Sequence, residues 1–268
     1  MDYLLQPTDV SGVRITIEEL RNHDIPYRVI GGGSNVILPD QGYHGALISL
    51  ARLSSVAICG ETVTADAGVK MPFLARRVAD ASLSGLEFAC GIPGEVGGAI
   101  CANAGAYGQM VSDVLISVVL MNPDGELEML SAEELEMGYH RCQIPQHSVI
   151  LSAVFRLVTE DRETIEDRMR YMRERRETSQ PRERSAGSVF RRVGETPAAI
   201  YIEKTGLKGL RIGGAELSSR HCNFIVNKGG ATTEEYFAVA ERVRERVLEQ
   251  SNVLLEYEVE RICSPRRN

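Results

Sequence analysis

Two glycine-dense segments contain the residues best suited by type and spacing to bind a charged cofactor. The first is Gly31-Gly32-Gly33-Ser34-Asn35, which directly follows a predicted strand at residues 27–30. Consecutive glycines let a backbone approach a diphosphate group closely and donate N–H groups to it. The same residues also suit a plain glycine turn. They do not form the G-x-G-x-x-G pattern of a Rossmann site.

The second segment runs from Gly91 to Gly108, where six of 18 positions are glycine. Each glycine in a regular element costs roughly 0.5–1 kcal/mol in chain entropy. A loop that wraps around a flat, charged cofactor would explain this density. A purely structural glycine-rich connection is the alternative.

Two residues outside these segments are candidate proton donors. Ser188 ends the motif Ser185-Ala186-Gly187-Ser188, and a serine hydroxyl is a weak acid that donates a proton only when it is well positioned. Glu258 can donate or relay a proton if burial raises its pKa. The alternatives are a turn serine and a glutamate on a solvated strand. There is no G-x-S-x-G motif, which disfavours a hydrolase nucleophile.

Composition excludes several classes of protein. The chain of 268 residues has a formal net charge of −7, which opposes binding to nucleic acid. Its six cysteines are scattered without C-x-x-C spacing, which favours reduced thiols in a cytoplasmic protein over a metal site or a disulfide framework. No apolar run approaches the roughly 20 residues of a membrane span.

Helix and strand signals divide the chain near residue 159. Before it, Thr16-x-x-Glu19 is a capping-box candidate for a helix that ends near Asp24. Hairpins are predicted at residues 54–67 and 114–130, and a strand at 149–158. After it, helices are predicted at 161–177, 198–205 and from Thr232 onward, with strands at 224–226 and 253–259. We therefore expect two domains, residues 1–158 and 159–268.

Several motifs between about Pro7 and Ile262 resemble those of the MurB family of flavoenzymes and follow one another in the family's order. The two glycine segments, with Asp40-x-Gly42 and Gly85-Leu86-Glu87, are similar to the family's FAD-contacting loops. Ser185-Ala186-Gly187-Ser188-x-Phe190 resembles its catalytic-serine motif. Residues 202–209 and 221–227 extend the match. The absence of a long insertion after Lys208 resembles the shorter type of the family.

The resemblance implies an α+β fold. An FAD-binding part of the vanillyl-alcohol-oxidase (PCMH) type, with two subdomains, is followed by a C-terminal α/β lobe that holds the substrate. It also implies a function: NADPH-driven, FAD-dependent reduction of UDP-N-acetylglucosamine enolpyruvate to UDP-N-acetylmuramate for peptidoglycan synthesis. The expected partner is a nucleotide sugar. We expect a cytoplasmic monomer with no metal, no nucleic acid and no membrane insertion.

The resemblance also implies roles for individual residues. Ser188, Glu258 and an arginine are catalytic. Charge, not the resemblance, indicates that Arg191 and Lys208, with the later arginines of the basic run from Arg168 to Arg184, bind the nucleotide phosphates of the substrate; a solvated helix face is the alternative for that run. The implied cofactor-binding residues are Gly31, Gly32, Gly33, Ser34, Asn35, Gly91, Ile92, Pro93, Gly94, Gly97, Gly98, Ala99, Asn103, Gly105, Ala106 and Tyr107.

The chain departs from the family pattern in two places. Where the family has Tyr-Arg-x-Ser, this sequence reads Tyr139-His140-Arg141-Cys142. Either Arg141, restored by a local bulge, or His140 supplies the positive charge that stabilises the enolic intermediate. The sequence also begins just before Leu4, where the family has a preceding segment, and we expect an upstream in-frame start. These departures motivate one alternative, an impaired or non-catalytic FAD- or nucleotide-binding paralogue. Another FAD oxidoreductase of the same fold is a second alternative, which the motif from Ser185 to Phe190 disfavours.

Overall fold

The computed structural model describes residues 2–138 and 141–265. Two compact units are present. The first contains residues up to Gly32 together with His44–Arg175. The second contains Gly33–Tyr43 and the chain from Arg176 onward. Each unit has its own buried apolar cluster, and each is described by itself below.

The described residues form α-helices and short β-strands, which confirms the α+β prediction. The helices are α1 (Val10–Asn22), α2 (Met71–Asp80), α3 (Val96–Cys101), α4 (Arg162–Ser179), α5 (Ala198–Lys204) and α6 (Thr233–Ser251). The strands are β1 (Tyr3–Leu5), β2 (Tyr27–Ile30), β3 (Val36–Ile37), β4 (Ala46–Ser49), β5 (Val56–Cys59), β6 (Thr62–Asp66), β7 (Leu83–Ser84), β8 (Gly105–Ala106), β9 (Gln109–Met110), β10 (Leu115–Met121), β11 (Leu127–Ser131), β12 (Val149–Arg156), β13 (Val158–Thr159), β14 (Ser185–Ser188), β15 (Arg211–Ile212), β16 (Ala215–Leu217), β17 (Phe224–Asn227) and β18 (Glu260–Arg261).

The first unit contains two main sheets. One is parallel, in the order β1-β4-β2, and the other is antiparallel, in the order β11-β10-β12-β6-β5. Strand β4 is buried along its whole length, as expected for the central strand of a covered parallel sheet. The predicted hairpins at 54–67 and 114–130 are confirmed as β5–β6 and β10–β11.

The start of α1 differs from the prediction. The N-cap is Asp9, whose Oδ1 accepts a hydrogen bond from the Gly12 N–H at 2.8 Å. An aspartate at this position satisfies one of the N–H groups that the first helical turn leaves without a partner. Thr16 therefore lies inside the helix, and the predicted Thr16-x-x-Glu19 capping box is wrong.

The second unit is built on the antiparallel sheet β14-β17-β16-β15, and α6 packs against it. The capping box of α6 is confirmed, because Thr232 and Glu235 exchange side-chain-to-backbone hydrogen bonds of 3.2 and 3.0 Å. The strand predicted at 253–259 is wrong. Within these residues only an isolated bridge forms, between Tyr257 and Phe190 of the irregular chain that follows β14, and the short strand β18 begins after them.

Within the described ranges, no helix combines the length and the apolar character that crossing a bilayer requires.

Candidate active site

Glycines of the two glycine-dense segments lie against each other in the first unit. A Cβ atom added to Gly31 would lie 3.6 Å from the Cα of Gly98, and one added to Gly32 would lie 3.3 Å from the Cα of Gly94. The backbones of these glycines therefore lie in contact with no side chain between them. We call Gly31, Gly32, Gly94 and Gly98 the glycine cradle.

Helix α3 is fixed beside this cradle by the segment after β6. The N–H groups of Val96 and Gly97 donate to the carbonyls of Val69 and Ala67, both at 2.9 Å. A Cβ atom at Gly97 would lie 3.1 Å from the Cβ of Ala67. Gly97 is therefore needed for packing as well as being a predicted cofactor residue.

Asn103 is almost completely buried, and its side chain connects three segments of the first unit. Its Nδ2 donates to the carbonyl of Gly138 at 2.8 Å, and its Oδ1 accepts from the Ser112 N–H at 3.0 Å. The backbone of Asn103 is left-handed, with φ of 39°. The side chain of this predicted cofactor residue thus holds Gly138, the bridge partner of Arg141.

Tyr107 lies near the end of the second glycine segment and is also left-handed, with φ of 57°. Its hydroxyl donates to the carbonyl of Met172 in α4 at 2.7 Å, and the guanidinium of Arg175 lies 5.8 Å from its ring centroid. Helix α4 therefore holds the tip of this segment. The other predicted cofactor residues of the segment begin with Gly91, the last residue of the short 3₁₀-helix Glu87–Gly91. The rest follow that helix or lie in α3 and β8.

An ion pair between buried Glu87 and partly exposed Arg168 supports the chain just before the second glycine segment. Glu87 is 4% exposed and accepts hydrogen bonds from the Gly85 N–H at 2.7 Å and from Arg168 Nη2 at 2.7 Å. Burial alone would raise the pKa of Glu87, but these hydrogen bonds outweigh it, so its pKa is lowered. The carboxylate is therefore held in its charged form, with Arg168 as its partner.

Arg141 lies in the first unit, where it pairs with Gly138 in an isolated antiparallel bridge. It exchanges backbone hydrogen bonds of 2.9 and 3.1 Å with Gly138, and its exposed guanidinium lies 4.0 Å from the carboxylate of Glu136. The alternative cation, His140, lies outside the described residues, so the choice between the two stays a prediction.

The second unit contains the predicted catalytic serine. Ser188 is half-buried at the end of β14, opposite Phe224 of β17, with a register shift between Ser185 and Ser188. Gly187 has a φ of 78°, and a Cβ atom there would lie 3.8 Å from the carbonyl oxygen of Ser34. The unit therefore brings the end of the first glycine segment beside the serine motif.

Asn223 continues the pairing of β14 beyond the end of its partner strand. Its carbonyl accepts from the Val189 N–H at 2.9 Å. Its side chain accepts from the Phe190 N–H at 3.0 Å and donates to the Phe190 carbonyl at 2.8 Å. The buried amide thus acts as a substitute peptide group. Through this amide and its own backbone carbonyl, Asn223 fixes the two residues that follow Ser188.

Glu258 lies on the other side of the same segment. Its N–H donates to the Val189 carbonyl at 2.8 Å, and its own carbonyl accepts from Asn35 Nδ2 at 3.0 Å. Burial raises the pKa of Glu258 to about 7, although the positive charge of Arg191 opposes the shift. A carboxyl group with this pKa exists in both protonation states near neutral pH.

The two predicted substrate residues differ in setting. Arg191 is half-buried, its N–H donates to the Glu256 carbonyl at 2.9 Å, and its Nε is buried without a hydrogen-bond partner. Lys208 is more exposed and forms a 2.6 Å ion pair with Glu203. Arg191 therefore has unused hydrogen-bonding capacity beside Glu258.

The chain is similar to known proteins over nearly its whole length. A profile of the FAD binding domain matches residues 1–131, and one of the UDP-N-acetylenolpyruvoylglucosamine reductase C-terminal domain matches residues 180–262. The UDP-N-acetylenolpyruvoylglucosamine reductase of Clostridium botulinum is 40% identical over 260 residues, covering 96% of this chain and 85% of that protein. The enzyme of that name from Rubrobacter xylanophilus is 41% identical over 268 residues, covering 98% and 90%.

A solved structure is similar along almost the whole chain. The crystal structure of UDP-N-acetylenolpyruvylglucosamine reductase (MurB) from Thermus caldophilus aligns with a TM-score of 0.84 and 32% identity, covering 98% of this chain and 92% of that one. Fold and site together define a flavoprotein with a PCMH-type FAD-binding domain and a distinct C-terminal domain. The chain belongs to the UDP-N-acetylenolpyruvoylglucosamine reductase (MurB) family. The predicted family, fold and FAD cofactor are confirmed.

Proposed function

We propose that this chain reduces UDP-N-acetylglucosamine enolpyruvate to UDP-N-acetylmuramate, with NADPH as the hydride donor. Its family membership makes it an FAD-dependent reductase of peptidoglycan precursor synthesis. The observation that carries the proposal for this chain is a backbone hydrogen bond. The Glu258 N–H donates to the carbonyl of Val189, which directly follows the serine motif, and so joins that motif to Glu258. Residues 1–158 form the proposed FAD-binding domain, and residues 159–268 the proposed substrate-binding domain.

The residues of the first unit fit a dinucleotide cofactor. The glycine cradle carries no side chains that would keep a diphosphate from the backbone, and the buried Oε2 of Glu95, adjacent to Gly94, has no hydrogen-bond partner within the described protein. Gly31, Gly32, Gly94 and Gly98 would therefore hold FAD in this unit. When bound, FAD accepts a hydride from NADPH and passes it to the enol ether.

Ser188 is the proposed proton donor. The hydride adds to one carbon of the enol ether, and the proton from the Ser188 hydroxyl adds to the neighbouring carbon, which completes the reduction of the double bond. A serine serves as an acid only if its backbone is fixed and the alkoxide left behind is stabilised. The β14–β17 pairing and Asn223 fix the backbone on both sides of Ser188.

Glu258 and the arginines are proposed to support this transfer. The protonated form of Glu258 donates or relays a proton, which its raised pKa allows near neutral pH. Arg141 is proposed to stabilise charge on the substrate carboxylate in the enolic intermediate. Arg191 and Lys208 are proposed to bind the diphosphate of the nucleotide sugar, because guanidinium and ammonium groups pair well with phosphate oxygens. We propose a monomer that acts in the cytoplasm.

Product analysis tests the function directly. Purified chain with FAD, NADPH and the enolpyruvate substrate should yield a product heavier by two hydrogen atoms, with one NADPH consumed per product. Oxygen consumption with NADPH and no change in the enolpyruvate would instead favour another FAD oxidoreductase. Bound FAD that NADPH does not reduce would favour the non-catalytic paralogue.

A further inference from the structure

Glu95 is a buried carboxyl group within the second glycine segment. It is 6% exposed, and its Oε2 is fully buried without a hydrogen-bond partner. A Cβ atom added to Gly31 would lie 3.9 Å from this oxygen. The unpartnered oxygen is therefore directed toward the glycine cradle. Glu95 is not among the cofactor-binding residues that the resemblance implies.

The surroundings of Glu95 disfavour its charged form. An ionised carboxylate that is buried without adequate partners carries a large desolvation penalty, so such groups tend to become protonated. Burial raises the pKa of Glu95, and the charge of Lys70, whose backbone pairs with Glu95 in an isolated bridge, opposes the shift. Lys70 itself is exposed, and the facing positions Gly31 and Gly98 carry no side chain.

We propose that Glu95 binds the diphosphate of FAD as a neutral carboxyl group, donating a hydrogen bond from its hydroxyl to a phosphate oxygen. This inference rests on the proposed function, because it assumes that the glycine cradle holds FAD. An ionised carboxylate in contact with a diphosphate would repel it, whereas a protonated carboxyl group supplies the donor that a phosphate oxygen requires. The glycines beside it have no side-chain donor to offer.

A consequence for pH follows from this protonation. The negative diphosphate favours the protonated form of Glu95, so the pKa of Glu95 rises further on binding and the protein takes up a proton with FAD. FAD binding is then strongest at pH values at which Glu95 is already protonated in the cofactor-free protein. It weakens by up to about tenfold per pH unit between the pKa values of the free and bound states.

The test measures the Kd of FAD from flavin fluorescence between pH 5 and 9, using the whole chain freed of cofactor. Wild-type affinity should fall as pH rises. The Glu95→Gln variant, whose amide donates at every pH, should lose this dependence and match or exceed wild-type affinity at pH 9. Glu133→Gln, at an exposed position of the same unit, is the matched control and should keep the wild-type slope.

A second measurement needs no variant. Calorimetric titration of wild-type chain with FAD, in buffers of different ionisation enthalpy, should show uptake of a fraction of a proton, up to one, per FAD. Tight binding with no proton uptake and no pH slope would overturn the role of Glu95 alone. So would affinity that rises with pH and falls in Glu95→Gln, which would mean that a carboxylate accepts a hydrogen bond from the cofactor. Failure of the wild-type chain to bind FAD at any pH would overturn both this inference and the proposed function.

Discussion

The side-chain amide of Asn223 spans the backbone of Phe190, accepting its N–H at 3.0 Å and donating to its carbonyl at 2.8 Å. Phe190 lies two residues after Ser188, and its ring stacks on Tyr257 with centroids 5.2 Å apart. One buried amide therefore fixes the segment between the proposed proton donor and Glu258. Asn223 is a positioning residue in this account, because it acts through the backbone of Phe190.

Replacing this amide should reduce both stability and turnover. Asn223→Asp keeps the acceptor for the Phe190 N–H but loses the donor to its carbonyl, which leaves a buried polar group without its partner. We expect a loss of about 1–3 kcal/mol in the free energy of unfolding, measured by urea denaturation. Because Ser188 loses its fixed position, kcat should fall more than the FAD affinity does.

Asn227→Asp is the matched control for this change. Asn227 is exposed, and its Oδ1 accepts from the N–H groups of Gly229 and Ala231, an acceptor role that aspartate can also fill. Its effect on unfolding should stay within about 0.5 kcal/mol. Equal losses in the free energy of unfolding for the Asn223 and Asn227 variants would contradict a positioning role for the Asn223 amide.

The sequence predicted much of the fold and part of this site, for identifiable reasons. The α6 capping box and the β10–β11 hairpin depend on residues close together in the chain, and both were predictable. Asn223 was missed because its partner is 33 residues away and no local pattern marks the contact. The strand expected at 253–259 does not form because the chain beside it, which follows β14, is irregular and offers no continuous strand edge. Thr16 was mistaken for a cap because a capping-box pattern also occurs inside helices.

Removing the Ser188 hydroxyl should separate the two halves of the reaction. Ser188→Ala should still bind FAD and have it reduced by NADPH at the wild-type rate, because the proton is needed only by the enolpyruvate. Reoxidation of the reduced flavin by the enolpyruvate should slow by about 10²–10⁴-fold. Stopped-flow absorbance measures both steps, and unimpaired reoxidation would show that another group supplies the proton.

The raised pKa of Glu258 should appear in the pH dependence of stability. A carboxyl group ionises with a pKa near 4.3 in an unfolded chain, whereas burial raises that of Glu258 to about 7. Because the folded state binds the proton more tightly, the stabilising contribution of Glu258 is complete below about pH 4 and is lost as pH rises through about 7. The loss is at most about 4 kcal/mol.

The Glu258→Gln variant isolates this contribution, because its amide does not titrate. Urea unfolding at pH 5 and pH 8 should show wild-type stability falling relative to the variant as the pH increases. A difference between the two proteins that stays constant over this range would mean that Glu258 ionises normally in the folded chain.

The ion pair between Arg168 and Glu87 should be needed for stability. Arg168→Met leaves the Glu87 carboxylate, 4% exposed, without its cation. Because Arg168 is itself 38% exposed, the cost should be smaller than for a fully buried pair, about 1–3 kcal/mol, and thermal unfolding should show it as a fall in Tm. Arg170→Met, also on α4, removes only an exposed pair with Asp167 and should change stability by less than about 1 kcal/mol. Similar effects at both positions would contradict a special role for the buried pair.

Anaerobic absorbance spectroscopy of the FAD-loaded protein tests the central claim most directly. NADPH should bleach the flavin absorbance, and the oxidised spectrum should return only when UDP-N-acetylglucosamine enolpyruvate is added, with formation of UDP-N-acetylmuramate in equal amount. A flavin that NADPH bleaches but the enolpyruvate fails to reoxidise would contradict the proposed reaction.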